Sequence, residues 1–239
     1  MAIRSTLLPA AMLALPLLVN ACGTEPTSAP TRTQALEARF LAGDPVLKLI
    51  PTAGNFAPPD FAKETGNGLY SQARWTNKVA LDGKFSVLLQ KSVDYASCYT
   101  STPENGCAAF AAVIVSGVEG ITIADLSTIG FSVNGTCGAG SPRFNLYYDT
   151  NGDGQADGVA FYGCAAHVSA LPPAPDWTSM SASSDAPDFC YSFGPPIGTC
   201  TLDANSTVVQ LSVIVDEKGT WYIDRVQAAG TTTGEPNGT

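Results

Sequence analysis

The sequence predicts an all-β fold, an antiparallel β-sandwich that is jelly-roll-like and stapled by disulfides. Three observations carry this. Short runs rich in β-branched and aromatic residues alternate apolar and polar side chains, the period of a half-buried strand. Turn pairs punctuate them at fairly even intervals: Asp82-Gly83, Asn134-Gly135, Asn151-Gly152 and Lys218-Gly219, with Gly117 and Gly120 between. Charged residues make up only 14% of the chain while Gly (23) and Pro (17) are plentiful. That balance suits a turn-rich β-protein better than a helical one.

Taken in order, strands are predicted over residues 84–91 (KFSVLLQK), 108–115 (AAFAAVIV) and 120–124 (GITIA). Further runs follow at 128–133 (TIGFSV), 143–148 (RFNLYY), 159–163 (VAFYG), 207–215 (TVVQLSVIV) and 220–226 (TWYIDRV). Phe144, Leu146 and Tyr148 share one face of their strand, so Tyr148 is expected in the core. Residues 165–206 break the pattern. This Pro/Ser/Ala/Asp-rich stretch is expected to be a long loop, functional or disordered, its second half ordered by a disulfide, with Trp177 exposed in it. Residues 34–41 could form a short helix, ended by Gly43 and Pro45. The predicted domain plan is a leader over 1–21, a tether over 22–50, the sandwich over 51–229 and a fraying tail over 230–239.

Seven cysteines are present. With Cys22 set aside, the remaining six read as three disulfides of an exported protein. Fifteen connectivities are formally possible, and spacing favours Cys98–Cys107, Cys137–Cys164 and Cys190–Cys200, because two of these loops are short and turn-rich. Zinc is the rival use of the thiols, but there is no C-x-x-C and only one histidine.

The amino terminus reads as an export signal. Arg4 precedes an apolar run from Leu7 to Val19, which is closed by Val19-Asn20-Ala21-Cys22. This resembles a bacterial lipoprotein signal with its lipobox. The resemblance implies that Cys22 is the lipidated first residue of the mature chain, held at the cell envelope by that lipid alone. No second stretch of 18 or more apolar residues occurs. The net charge is −9, one unit more negative without Arg4, and no Lys/Arg cluster offsets it. Phosphate backbones would be repelled, so nucleic acid is not an expected partner.

Four candidate sites follow from residue type and spacing. Asp149, Asn151, Asp153 and Asp157 place oxygen ligands around Gly154, a pattern similar to the start of an EF-hand loop and suited to Ca²⁺. Position twelve is Ala160 where a bidentate Glu is needed, so the same residues also read as a polar hairpin turn. Arg143 could contact a ligand carboxylate, or instead hold loop carbonyls or an Asp with its five donors. Trp75 and Trp177 are candidates for a sugar-stacking platform, with Tyr70, Tyr148 and Tyr162 behind them. His167, the only histidine, would have to serve any His-dependent triad, yet no G-x-S-x-G or H-E-x-x-H is present. The sequence therefore gives no support for catalysis.

Residues Asp125 to Phe131, Cys137 to Phe144 and the closing Gly219-Thr-Trp-Tyr-Ile-Asp-Arg-Val226 resemble carbohydrate-binding-module-like jelly rolls of bacterial secreted proteins. The similarity covers roughly residues 70–229. It implies a non-catalytic binding module, with glycan as the expected partner. A glycoside-acting enzyme on the same fold, or an envelope structural protein, are the alternatives. The first would show a cleft with two carboxyls roughly 5–10 Å apart.

Overall fold

In the computed structural model, residues 46–56, 70–102, 104–194, 198–199 and 201–236 are described. The expected leader, Cys22, the 34–41 helix and Cys200 lie outside them. Among the described residues, thirteen strands form two antiparallel sheets. The first, in spatial order, joins β1 (Lys48–Asn55), β4 (Ala109–Ser116), β11 (Thr207–Val215), β6 (Arg143–Asp149), β7 (Gly158–Gly163), β9 (Phe189–Ser192) and β10 (Gly198–Thr199). The second joins β2 (Ser71–Thr76), β3 (Ser86–Lys91), β12 (Gly219–Ala228), β5 (Thr128–Asn134) and β8 (Trp177–Ser183), with β13 (Thr231–Thr233) paired to β12.

The period-two pattern decides which side chains meet between the sheets. Val113, Val115, Phe144, Leu146, Tyr148, Leu211 and Val213 from the first sheet are buried against Val87, Leu89, Ile129, Phe131, Val133 and Ile223 from the second. Phe131 and Phe144 touch edge to face across the gap, with centroids 5.2 Å apart. Tyr148 and Tyr162 belong to this core, at 3% and 0% exposure. The sandwich is thus as expected, as are two of the three disulfide pairings. Cys98–Cys107 and Cys137–Cys164 are both bonded, with Cα atoms 5.3 and 5.2 Å apart. Cys190 is also disulfide-bonded.

Several boundaries differ from the sequence reading. Residues 165–206 are not one long loop, for they contain β8, β9 and β10. In β8, Thr178, Met180 and Ala182 oppose the core residues Val133, Phe131 and Ile129, while Ser179, Ser181 and Ser183 face outward. The alternation is present, but small polar residues mute it. Residues 120–124 do not form a strand. Thr122 makes one isolated bridge to Thr207, and Ile123–Leu126 turn into a single helical turn, α1. Thr122 caps that turn, its Oγ1 accepting from the Asp125 amide at 3.0 Å. The sandwich starts before residue 51, because β1 opens at Lys48 and tolerates Pro51 as the edge strand of its sheet. At the other end Thr231–Thr233 pair with Val226–Ala228, so the tail does not fray from residue 230.

Candidate functional site

The outward face of the first sheet is unlike an ordinary solvent face. Its central row, read across paired strands, runs Ile50, Ile114, Ser212, Asn145, Phe161, Phe189. The next row carries Tyr147, Val159 and Tyr191. Phe189, Tyr191 and Phe193 are exposed at 46%, 37% and 43%, and Ile50 and Phe56 at 48% and 39%. Outward aromatics on adjacent strands need a reason, since water gains nothing from them.

The aromatics form two banks. On the β7–β9 side, Phe161 stacks on Phe189 at 5.9 Å, and Phe193 lies 6.4 Å from Tyr147 and 6.2 Å from Tyr191. On the β1–β4 side, Phe110 lies over the bare backbone of Gly54 and packs on Phe56 at 4.7 Å. From Phe56 the ring contacts continue to Tyr95 (6.1 Å) and then Tyr99 (5.6 Å). Between β4 and β7 lie two strands, so the banks stand about three strand spacings, roughly 14 Å, apart.

A polar stage fills the gap. Arg143 meets Asp216 in a two-pronged pair, Nη1–Oδ1 and Nη2–Oδ2 both 2.8 Å. Both side chains are largely buried, at 14% and 12% exposure. Arg143 Nε donates to Asn145 Oδ1 at 3.0 Å, and Ser141 Oγ donates to Asp216 Oδ1 at 3.0 Å. The guanidinium carbon lies 5.7 Å from the Phe161 ring centre. Buried Lys91 approaches from the other side, donating to the carbonyls of Asp216 (2.7 Å) and Cys107 (2.6 Å), 5.6 Å from the Tyr95 ring centre. The Tyr95 hydroxyl is pushed up to about 12, chiefly by its hydrogen bond with Tyr99 and then by burial. It stays a neutral phenol at any physiological pH.

The sequence candidates are distributed differently. Arg143 is at the stage, engaged with an Asp as one reading of it expected. Trp177 is a correction: it starts β8 and is only 6% exposed. Trp75 faces inward, partly buried against the core opposite Val87. Neither tryptophan joins the aromatic banks. The banks were missed because Phe161, Phe189, Tyr191 and Phe193 look like core aromatics until strand pairing fixes their parity.

Asp149, Asn151, Asp153 and Asp157 share the hairpin between β6 and β7, and their oxygens face backbone amides. Asp149 accepts from Asn151, Gly152 and Gly154, at 2.9, 2.7 and 2.8 Å. Asp157 accepts from the Thr150 amide at 2.8 Å and from Asn151 Nδ2 at 3.3 Å. Burial opposes the Asp149 charge, but these amides outweigh it and hold the carboxyl below its usual range. Among the described residues no group of three His, Cys, Asp or Glu is placed to hold a metal ion.

Carboxylates gather elsewhere around one shallow cleft lined by Asp82, Asp224 and Glu235. Each of them caps backbone. Asp224 accepts from Leu81, Asp82 and Arg225, and Glu235 accepts from Lys84. His167 sits 3.0 Å from Asp188, whose other oxygen accepts from Gly163. No described serine hydroxyl hydrogen-bonds that imidazole.

No family model matches the chain, and no curated protein matches it. Solved structures to which the chain is similar include two carbohydrate-binding modules. One is the C-terminal family 22 carbohydrate-binding module of Clostridium thermocellum Xyn10B (14% identity, TM-score 0.30). The other is a xylan-binding domain of the same module family (16% identity, TM-score 0.29). Each alignment covers 79% of this chain and 88% of the other. Likeness at that level transfers neither a ligand nor a site.

Proposed function

We propose that this protein is a surface-anchored lipoprotein whose β-sandwich is a non-catalytic glycan-binding module, using the outward face of the seven-stranded sheet. The observation that carries the binding reading is the pair of exposed aromatic banks on either side of the Arg143–Asp216 stage. A sugar ring is amphipathic, with apolar C–H faces and a rim of hydroxyls. Aromatic side chains match the faces, and a neighbouring group of fixed donors and acceptors matches the rim. At its edge the stage offers both hydrogen-bonding senses through Arg143 and Asp216, with Asn145 and Ser212 buried beneath them, while the ion pair cancels its own charge. The acidic surface of the chain disfavours anionic ligands. The anchoring rests on the lipobox at Cys22, and Cys22→Ser is expected to abolish fatty-acid labelling.

Affinity electrophoresis through gels holding hydroxyethyl cellulose, β-1,4-xylan or mannan tests the binding. At least one polymer is expected to retard the wild type. Phe161→Ala and Tyr191→Ala should each weaken retardation roughly fivefold to tenfold with little change in melting temperature. Free migration in all three gels, with no hit on a broader glycan array, would refute the reading.

A further inference from the structure

The segment between β3 and β4 crosses from one sheet to the other and is built as a unit of its own. Cys98, Cys107 and Ala108 form a small apolar cluster with Val93 and Tyr95 packed on it, separate from the intersheet core. Its 3-10 turn, Tyr95–Tyr99, is capped by Asp94, whose side chain accepts from Ala96. The hydrogen bonds described for residues 96–100 stay inside the segment: Ser97 and its hydroxyl to Asp94, Thr100 and its hydroxyl to Ser97, Tyr99 to Tyr95. Outside contacts come from Tyr95, which meets Phe56 and Lys91, and at the far end from the carbonyls of Cys107 and Ala108, which accept from Lys91 Nζ and the Phe56 amide. A segment with local bonds and little core of its own opens at low free energy unless something closes it. Here the Cys98–Cys107 bond does so, over nine positions of sequence.

What the segment presents is equally specific. Tyr99 is exposed at 77%, the most exposed aromatic of the described residues. It ends the run of ring contacts from Phe110 through Phe56 and Tyr95. That places it at the far limit of the bank, on the opposite side of the stage from Phe161. We propose that residues 93–108 are a stapled recognition arm: Tyr99 determines how long a glycan the face prefers, and the Cys98–Cys107 disulfide is the positioning element that holds Tyr95 and Tyr99 at the stage. The proposal rests on the glycan-binding reading above. It goes further by assigning chain-length selectivity and a requirement for oxidised cysteines to one segment. A short ligand held between Phe161 and the ion pair never reaches Tyr99, whereas a longer one does.

The test uses the full chain with its disulfides formed, the polysaccharide gels named above, and the di- and hexasaccharide of whichever polymer retards it. Tyr99→Ala should lower affinity for the hexasaccharide at least fivefold and leave the disaccharide within twofold. Its side chain is 77% exposed and meets only Tyr95, by one ring contact and one hydrogen bond, so folding is not at stake. Cys98→Ser with Cys107→Ser should lower hexasaccharide affinity by at least as much and open the arm to limited proteolysis near residues 99–104. The melting transition of the sandwich should stay cooperative. Equal loss for both oligosaccharides in Tyr99→Ala, or full hexasaccharide affinity in the double serine variant despite a cleavable arm, would overturn the arm assignment while leaving the binding face intact. A wild type bound by no polymer would overturn the reading beneath it, and the arm with it.

Discussion

Asp216→Ala tests the centre of the proposed binding face as a structural element. The substitution leaves the Arg143 guanidinium at 14% exposure without its two-pronged partner, and it removes the acceptor of Ser141. Breaking a buried pair from one side costs about 3–5 kcal/mol, because the remaining charge stays desolvated. Here Arg143 keeps Asn145 Oδ1 and the Gly140 carbonyl, so the lower end, about 3 kcal/mol, is the expected value. For a domain of this size that is a fall in melting temperature of roughly 6–12 °C. Urea unfolding of wild type, Asp216→Ala, Arg143→Leu and the double variant gives the coupling directly. The double variant should be less damaged than either single one, since no unpaired charge remains. An Asp216→Ala loss under about 1 kcal/mol, or simple additivity, would show that the pair behaves as a solvated surface contact and that the stage is not the fixed platform described above.

Two further outcomes are expected. Asp149→Ala frees three amides of the β6–β7 hairpin and should cost about 2 kcal/mol; because the carboxylate already serves those amides, the wild-type melt should be the same in chelator and in millimolar Ca²⁺, and a calcium-dependent rise in melting temperature would instead establish the loop as a cation site. The acid profile should show two opposed contributions. Asp149 has a lowered pKa in the fold, so its stabilisation is present above the unfolded value near 4 and is lost as pH falls through the folded one. Asp224 is raised, first by burial against the pull of three amides, so stability declines as pH rises from the unfolded value through the folded one. Carboxyl NMR titration checks both, and an Asp224 that titrates below Asp149 would contradict the burial argument.

The fold was legible where one face of a strand is strongly apolar. Phe144, Leu146 and Tyr148 alternate with Arg143, Asn145 and Tyr147, and the inward set could be named from the sequence. Strands with small polar outward residues were not legible: β8 hides Met180 and Ala182 among three serines and reads as a loop. In β1, Pro51 acts as a breaker to the eye and is harmless only because the strand lies at an edge. The α1 turn was missed because GITIA has strand composition, while the Thr122 cap that ends extension lies within it.

The proposed binding face was hidden for a different reason. Tyr147, Phe161, Phe189 and Tyr191 belong to three strands separated in sequence, and none carries a local mark of exposure. Phe161 differs from its neighbour Tyr162 only in parity, yet Tyr162 is wholly buried with its hydroxyl donating to the Ser184 carbonyl, while Phe161 faces out over Arg143. Parity along one strand can be read from period two, but the sign of that parity needs a partner strand whose core face is already known. For β7 that partner is β6, where Phe144 opposite Tyr162 and Asn145 opposite Phe161 settle it. Once β6 fixes β7, β7 fixes β9, and the exposed aromatics fall on one surface. The same logic removes Trp75, whereas Trp177 shares the outward parity of Ser179 and Ser181 and is removed by its burial alone. Trp75 pairs with Val87 and must face inward, so its apolar bulk contributes to the core and not to recognition. The proposed recognition face is therefore a property of strand order, and its residues are ordinary in type but displaced by one position from the core set.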